Sequence, residues 1–573
     1  MDWSEEQKEV IDLKKQGIFV VKACPGSGKT TCISERIYRM LNSWDKPHSG
    51  LAVLSFTNVA KDEVINRFES EHVEVNINYP HYFGTLDSFI NNFIFLPYGH
   101  LVMGCKKRPE LVGRPFNYWS GNDDEETFFD KISFDKNGNC VDKSKIIFYP
   151  NEDWKWKKIV EKKKILNKKG YATQKDAIYY SMKVLGEYPN IAKSLAIRFP
   201  YFIIDEAQDS NEIHMAILEL LIKNGLKNCI LVGDPEQGIY QWNKTDPILL
   251  NQKFEKWEDS IEFKDNYRSS QNICNFFSKL SQLNHITSKV DFKENDEPLF
   301  KKYDNNFKDI INEFIKICKS NIEIDSVAVL FRGDNEVQKL LGSKNTYSIH
   351  NIFRGKDYFK ISYTKNIVLG KFFEINDEYL RCFKEYEEAY MKLKCNSEDF
   401  NLKLEIEQTG LLTHRKNIFD FINKFPRVNN NQNINELINH INNNLKYGQN
   451  ELNLISQKKN DDIKLHEELT FEMLNIDENI IKNNLEYDVK TIHKVKGKSY
   501  DAVLLILKNR GVEKKFYKTL LDDNVSLMES EELRIVYVGM SRAKKLLWIA
   551  VPEKSINSWE NKFKNGTIQQ TLM

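Results

Sequence analysis

The chain has 573 residues, of which 41% are hydrophobic and 29% charged; 83 Lys and Arg face 82 Asp and Glu, a formal charge of +1. That length exceeds a single hydrophobic core and implies several domains, and near-neutrality excludes a global positive field, so any nucleic-acid contact must be local, in a cleft. Met1 to Lys15 is charged and polar, no apolar run is long enough to span a bilayer, and the nine cysteines form no Cys-x-x-Cys pair. These features predict a cytoplasmic protein without a membrane partner, zinc ribbon, iron–sulfur site or disulfide framework.

In chain order, the first apolar, β-branched run, Ile18 to Lys22, predicts a buried strand. Ala23-Cys24-Pro25-Gly26-Ser27-Gly28-Lys29-Thr30 follows, and Ile33, Ile37 and Leu41 at helical spacing predict a helix from Thr31 to Leu41. Strand, glycine-rich turn and helix form the context of a phosphate-binding loop. Gly26 and Gly28 let backbone N–H groups converge on phosphate oxygens, and the helix N-terminus adds partial positive charge. Lys29 is placed to reach the β/γ-phosphates of a nucleotide, and the Thr30 hydroxyl to hold Mg²⁺. Further strands are expected at Leu51–Phe56, Tyr201–Asp205, Cys229–Gly233 and Ile261–Phe263. A second block has Ser326–Phe331, Asp488–Ile492, Asp501–Leu507 and Leu546–Val551. Strands alternating with helical stretches imply parallel sheets flanked by helices. A Lys- and aromatic-rich insertion, 97–195, interrupts the first block, and a helical, Asn-rich insertion, 371–480, interrupts the second.

The chemistry-bearing residues cluster at predicted strand ends. Phe202-Ile203-Ile204-Asp205-Glu206 ends an apolar strand in two carboxylates, and the carboxyl ends of parallel strands face the ligand crevice. Asp205 is placed to hold Mg²⁺, and Glu206 to accept a proton from the water attacking the γ-phosphate. Ile230 to Trp242 is a third strand-to-loop unit, in which Gln237 can bond a phosphate or its metal. Tyr240 and Trp242, two apart, would in an extended segment present both rings to one side for base stacking, although from the residues alone two core aromatics are the better reading. Arg268 and Arg542 each stand beside a turn, suited to stabilise charge on a transferred phosphoryl group, although for either alone a surface salt bridge is the commoner role. The run from Trp154 to Lys169 is the densest positive stretch, read equally well as a phosphate-contacting face or a solvated helix.

The ordered set resembles the superfamily 1 DNA helicases of the UvrD/PcrA/Rep type. The resemblance implies an α/β fold of two RecA-like P-loop NTPase domains, each with a mainly helical insertion. The first RecA-like domain would comprise 1–96 and 196–275 around the insertion 97–195; the second, 276–370 and 481–573 around the reduced insertion 371–480. Trp3-Ser4-Glu5-Glu6-Gln7 is similar to the family's glutamine motif, which implies that Gln7 reads the adenine edge. Ser55-Phe56-Thr57-Asn58 and Gly84-Thr85-Leu86-Asp87 resemble its single-strand contact segments, implying DNA contacts by Phe56, Thr57, Asn58 and Thr85. Asp205-Glu206-Ala207-Gln208-Asp209 resembles the Mg²⁺ and water-activating box, and the segment through Tyr240 and Trp242 resembles the segment that couples phosphate sensing to base stacking. Tyr267 and Arg268 resemble the adenine-stacking residue and first arginine finger. Lys490 to Gly497, with His493, resembles a motif touching DNA and nucleotide, and Glu531 to Arg534 with Tyr537 to Ala543 resembles the last motif, making Arg542 the second finger. The nucleotide contacts implied are thus Gln7, Ala23 to Thr31, Tyr267, Arg268 and Arg542.

The family resemblance implies ATP and Mg²⁺ as cofactors, and single-stranded DNA and single/double-strand junctions as partners, with movement 3′ to 5′. Some positions differ from the family pattern: Ala23 opens the phosphate loop in place of Gly, Thr31 stands where Arg is frequent, Asp87 where many members have His, Gly238 in place of Ser, Asn243 in place of Arg, and Lys498-Ser499 in place of Leu-Glu. The second insertion is short for the family, which favours translocation over processive strand separation. The compact chain, with no nuclease module after Val551, also suggests the helicase subunit of a Gabija-type anti-phage defence system controlling a partner nuclease. A repair helicase working alone and an NTP-binding sensor that does not translocate are the other readings.

Overall fold

The computed structural model describes residues 3–56, 77, 79–112, 132–142, 145–146, 154–239, 245–281, 285–292, 297–303, 307–321, 323–333, 336–337, 340, 347–348, 353–354, 358–395, 402–444, 453–454, 469–471, 474–475, 487–507, 525–553 and 556–564. Residues 1–337 and 486–573 form one compact unit, and 338–485 a second.

The first unit holds two parallel sheets. One is built from β1 (Ile18–Ala23), β2 (Leu51–Ser55), β3 (Tyr82–Thr85), β4 (Tyr201–Ile204), β5 (Asn228–Gly233) and β6 (Ile261–Phe263), in the order β6-β1-β5-β4-β2-β3. Every pairing in it is parallel, with Ile18 opposite Cys229 and Leu54 opposite Ile204. The second has β7 (Leu299–Tyr303), β8 (Val327–Phe331), β9 (Asp488–Thr491), β10 (Tyr500–Ile506) and β11 (Ala543–Pro552), in the order β7-β11-β10-β8-β9, again all parallel. Central strands covered on both faces read as unbroken apolar runs; Phe19, Val20 and Val21 of β1 and all seven residues of β10 are buried. Each expected strand is present, with ends displaced by no more than three residues. This is the α/β architecture of two RecA-like domains.

Helices cover both sheets. Among them α1 spans Glu5–Ile11, α2 Lys29–Asn42, α3 Trp154–Lys168, α4 Gln174–Glu187, α5 Glu212–Lys223 and α6 Glu531–Met540. In α2, Cys32, Ile33, Ile37 and Leu41 lie in a core with β1, Leu51 and Val232. Ile178, Val184 and Leu185 of α4 lie in the other core of the first sheet, with Phe202 and Leu231. A three-stranded antiparallel sheet of Ile132–Phe134, Cys140–Asp142 and Lys145–Ile146 precedes α3, an addition to the expected helical character of this insertion.

The Lys-rich stretch does form a helix, α3, but Lys163 is not on a solvated face. It is fully buried, with Nζ 2.9 Å from Asp176 Oδ2. Asp176 also accepts from the Thr173 N–H in the capping box that starts α4, so the pair ties α3 to the first turn of α4. Isolated charges inside proteins are costly unless paired in this way. Lys164, Lys168 and Lys169 remain exposed.

The second unit contains helices Tyr358–Ile375, Tyr379–Cys395, Leu402–Thr409, Leu411–Ile422 and Ile434–Asn444 around Tyr363, Tyr386, Ile418, Phe421 and Ile438. The Asn-rich tract begins just before the last of these and continues along it, and Ile434, Leu437, Ile438 and Ile441 of that helix are buried. Its asparagines therefore accompany an ordinary apolar stripe. A Cβ on Gly370 would sit 2.6 Å from the Tyr386 ring, so glycine permits the first two helices to approach. Among the described residues no helix is long and apolar enough to cross a membrane.

Candidate nucleotide and DNA site

The functional side chains gather where parallel sheets collect their loops, beyond the carboxyl ends of the strands. β1 leads into the glycine-rich loop, β4 into Asp205–Glu206, β5 into Asp234–Gln237 and β6 into Asn266–Arg268. Gly26 and Gly28 have φ of +70° and +73°, the left-handed region that glycine adopts without strain. A Cβ on Gly26 would lie 2.7 Å from Arg268 Cβ, so close approach alone demands glycine there. The loop is braced from outside: Asn266 Nδ2 donates to Pro25 O at 2.6 Å, Tyr267 N to Gly26 O at 2.8 Å, and Gln7 Nε2 to Ser27 O at 2.9 Å. Cys24 N donates to Phe263 O at 3.1 Å. Ala23, in the first loop position, is the last residue of β1, fully buried and paired with Phe263.

Gln7 is 4% exposed and sits in a capping box with Ser4. Its Oε1 accepts from Ser4 N at 3.0 Å and from the Tyr267 hydroxyl at 3.4 Å. Here the glutamine and the tyrosine are bonded to each other and to the loop.

Lys29, the first residue of α2, bonds Glu206 Oε1, and its Nζ lies 3.9 Å from Asp205 Oδ1. Gln208 donates to the other Glu206 oxygen. Lys496 arrives from the second sheet's side, with Nζ 2.7 Å from Asp209 Oδ2 and 3.8 Å from Glu206 Oε2. Burial alone would raise the Glu206 carboxyl; Lys29 and Lys496 beside it hold it down at about 2. Burial lifts Asp209 to about 6 in spite of Lys496, and burial with neighbouring Glu236 lifts Asp234 to about 7. Burial works against the charge on Lys29, yet Glu206 and Asp205 raise its pKa above the usual range. Perturbed groups of opposing direction within one cleft mark sites of chemistry. Glu206 also has φ +54°, one of two non-glycine residues with positive φ among those described. Such strain concentrates at functional positions.

The second half contributes Arg542, 1% exposed. Its Nη2 donates to Gln237 Oε1 at 2.7 Å, and Gln237 Nε2 donates to Asp234 Oδ2 at 2.6 Å. Its Nε and Nη1 are anchored on Val538 O at 3.0 Å and Lys498 O at 3.3 Å. Burial and the proximity of Arg268 push the guanidinium down to about 9. Arg268 Nη1 in turn donates to Ser541 O at 3.1 Å. Lys29, Asp205, Glu206, Gln237, Arg268 and Arg542 thus belong to one connected cluster drawn from both halves.

Residues 3–123 and 150–258 match the UvrD/REP helicase N-terminal domain, and residues 359–554 match the UvrD-like helicase C-terminal domain. The chain belongs to the UvrD/REP helicase family. The helicase is 24% identical to the "Probable DNA helicase II homolog" of Mycoplasma genitalium, across 95% of this chain and 84% of that protein. It is 22% identical to the protein of that name from Mycoplasma pneumoniae, across 95% and 83%. A shorter stretch of 104 residues is 36% identical to the "Exonuclease/helicase subunit RexA" of Streptococcus pneumoniae serotype 4, covering 17% of this chain and 8% of that protein. The helicase is accordingly an ATP-dependent enzyme acting on DNA.

The expected DNA contacts are only partly within the described residues. Thr57, Asn58, Tyr240 and Trp242 lie outside them. Phe56 follows β2, half-buried, with its ring edge-on to His214 at 5.5 Å. Thr85 ends the adjacent strand β3, opposite Ser55. Its hydroxyl caps the next helix by accepting from Ser88 N at 3.1 Å. Asp87, the departure from the family's His, lies 3.2 Å from His214 Nε2. His493 sits in a single 3₁₀ turn just after β9.

Three residues of the cluster carry no role assigned from sequence, Asp234, Asn266 and Lys496, and neither does Arg534, which lies outside it. Asp234 and Lys496 lie inside quoted motifs, and Asn266 directly precedes the quoted Tyr267. Arg534 ends the quoted run Glu531 to Arg534 and carries no further signal.

The residues present fit a Mg²⁺–nucleotide. Gly28 gives the N-terminus of α2 no side-chain cap, and the buried Ser27 hydroxyl has no partner among the described residues. Both suit phosphate oxygens. No group of three or more His, Cys, Asp or Glu among the described residues could hold a metal on its own. Mg²⁺ in phosphate sites needs only one or two carboxylates, with substrate oxygens and water completing the shell.

Proposed function

We propose that this helicase moves 3′ to 5′ along single-stranded DNA by hydrolysing ATP in the cleft between its two RecA-like halves. The observation carrying the reading is the pair of cross-half bonds, Arg542 on Gln237 and Lys496 on Asp209, beside the Lys29–Glu206 pair. When Lys29 turns to the β/γ-phosphates, Glu206 loses the stronger of its two cationic neighbours and its pKa climbs toward the range of a useful general base. Glu206 then takes the proton of the attacking water. Arg268 and Arg542 face the charge that develops on the transferred group. Thr30 and Asp205 would hold Mg²⁺, which neutralises phosphate charge. Because Arg542 and Lys496 come from the second half, the cleft is complete only when the halves are closed. Opening after hydrolysis then moves the DNA contacts of one half relative to the other.

Trp242→Ala should weaken single-strand binding by about 1–3 kcal/mol, the worth of one stacked base, and lower DNA stimulation while leaving the KM for ATP nearly unchanged. Equal DNA stimulation in that variant, measured by coupled ATPase assay, would remove the stacking role. Direction is tested by strand displacement on duplexes with a single 3′ or 5′ tail. Displacement from the 3′-tailed substrate alone is expected. Displacement from the 5′-tailed one alone reverses the polarity, and none from either, with DNA-stimulated ATPase intact, restricts the enzyme to translocation.

A further inference from the structure

Arg534, on α6, is fully buried and takes no part in the cluster around Lys29. Among the described residues no carboxylate lies within ion-pair distance of it. Its guanidinium instead donates to three backbone carbonyls: Leu527 at 2.7 Å and Met528 at 3.0 Å, both in the turn before α6, and Gly238 at 2.5 Å, in the first half. Burial pushes its pKa down to about 10, so it stays a cation at neutral pH. A buried, unpaired cation is a costly way to brace a turn, and the outlier bond is the one that crosses to the first half.

That bond falls at an informative place. Gln237 is held by Arg542 through its side chain. Gly238 is held by Arg534 through its carbonyl. Ile239 is fully buried in the apolar core that contains Leu527, Leu533, Val536 and Tyr537 of the second half. Three successive residues of the first half are thereby attached to α6 and its flanking turns. One attachment would be a pivot; two arginines eight residues apart, gripping adjacent residues, fix orientation as well as position. In sequence the segment runs from phosphate-sensing Gln237 toward the proposed stacking residues Tyr240 and Trp242.

We infer that Arg534 is a positioning residue that makes residues 237–239 travel with α6, and so couples closure of the nucleotide cleft to the DNA-contacting segment. The inference rests on the proposed ATP-driven translocation. Without the Gly238 bond the cleft still closes through Arg542 and Lys496, but residues 237–239 keep only the Gln237 and Ile239 attachments and their orientation no longer follows α6.

Arg534→Gln removes the buried charge and shortens the reach. Expected are DNA-free ATP turnover and KM for ATP within about twofold of the unaltered enzyme, and a loss of DNA stimulation of at least about tenfold. Arg534→Lys, which can keep the Leu527 and Met528 carbonyls but not all three, should show the same split with a melting temperature nearer the original. Stimulation preserved in both variants, or a fall of equal factor with and without DNA, would overturn the inference. Hydrogen exchange on the unaltered enzyme needs no variant to fold. A non-hydrolysable ATP analogue with Mg²⁺ should slow the amides of Gly238 and Ile239 together with those of α6, and slowing in α6 alone would also overturn it. Absence of any DNA stimulation in the unaltered enzyme would instead remove the translocation reading itself.

Discussion

Arg542→Ala is expected to lower DNA-stimulated ATP turnover by about 10³-fold or more, the range for an arginine that neutralises charge on a transferred phosphoryl group. The side chain is suited to that task by its two ends. One is tied to Val538 O and Lys498 O in its own half; the other reaches Gln237 in the opposite half at 2.7 Å. Guanidinium so held is preorganised, and loses little freedom when charge develops in front of it. Removing it also strips Gln237 Oε1 of a buried donor, a structural loss on the order of 1–3 kcal/mol. The two effects separate in the kinetics. Loss of transition-state stabilisation lowers kcat with little change in KM, whereas misplacement of Gln237 in the ground state raises KM. Arg542→Lys supplies the control, since it restores charge without the two-pronged geometry and should recover only a small part of the rate. A kcat within tenfold of the unaltered enzyme, in an Ala variant with an unchanged melting temperature, would exclude Arg542 from the chemistry.

The parts of this arrangement differ in how visibly they are written along the chain. The phosphate loop is local: strand, glycine turn and helix are contiguous, and Ile18 to Leu41 carries the whole signal. The central strands are legible because burial on both faces leaves an unbroken apolar run, as in Ala502 to Ile506. Two of the four edge strands of the two main sheets are not, although Ile261–Phe263 and Asp488–Thr491, also edges, are. Leu299–Tyr303 pairs on one side only and reads Leu-Phe-Lys-Lys-Tyr, with little of it buried. Tyr82–Thr85 is also an edge, and its Gly84 and Thr85 read as a contact motif before they read as a strand. Lysine on helix α3 looks solvated from composition, yet Lys163 is buried because Asp176, thirteen positions on, turns inward to meet it. The cross-half bonds are further still from local pattern. Lys496 and Asp209 are separated by 287 positions, Arg534 and Gly238 by 296. Motif resemblance could name the segments involved. Only the fold could show which atom of one grips which atom of the other.

Lys29→Ala should abolish measurable ATP hydrolysis, a fall of at least about 10²–10³-fold from loss of one preorganised charge donor, with and without DNA. The protein should nonetheless fold, and the reason lies in the Glu206 titration. Glu206 has a folded pKa of about 2, below its ordinary value of 4.5. Its pairing therefore stabilises the native state above pH 4.5, and that contribution disappears as pH falls toward 2. Without Lys29 the carboxylate keeps Lys496 at 3.8 Å and the Gln208 amide, so its pKa rises and part of the stabilisation at neutral pH is lost. Against that loss, the variant no longer buries the Lys29 ammonium, whose desolvation opposes its own charge. The two changes have opposite sign, which leaves the neutral-pH melting temperature close to the original while acid unfolding moves to higher pH. Single-strand binding in the absence of nucleotide should survive, since no proposed DNA contact touches Lys29. An Ala variant that melts normally, binds single strands and still turns over ATP at the unaltered rate would place the phosphates elsewhere, and the Lys29–Glu206 pair would then be a structural ion pair at the end of a strand.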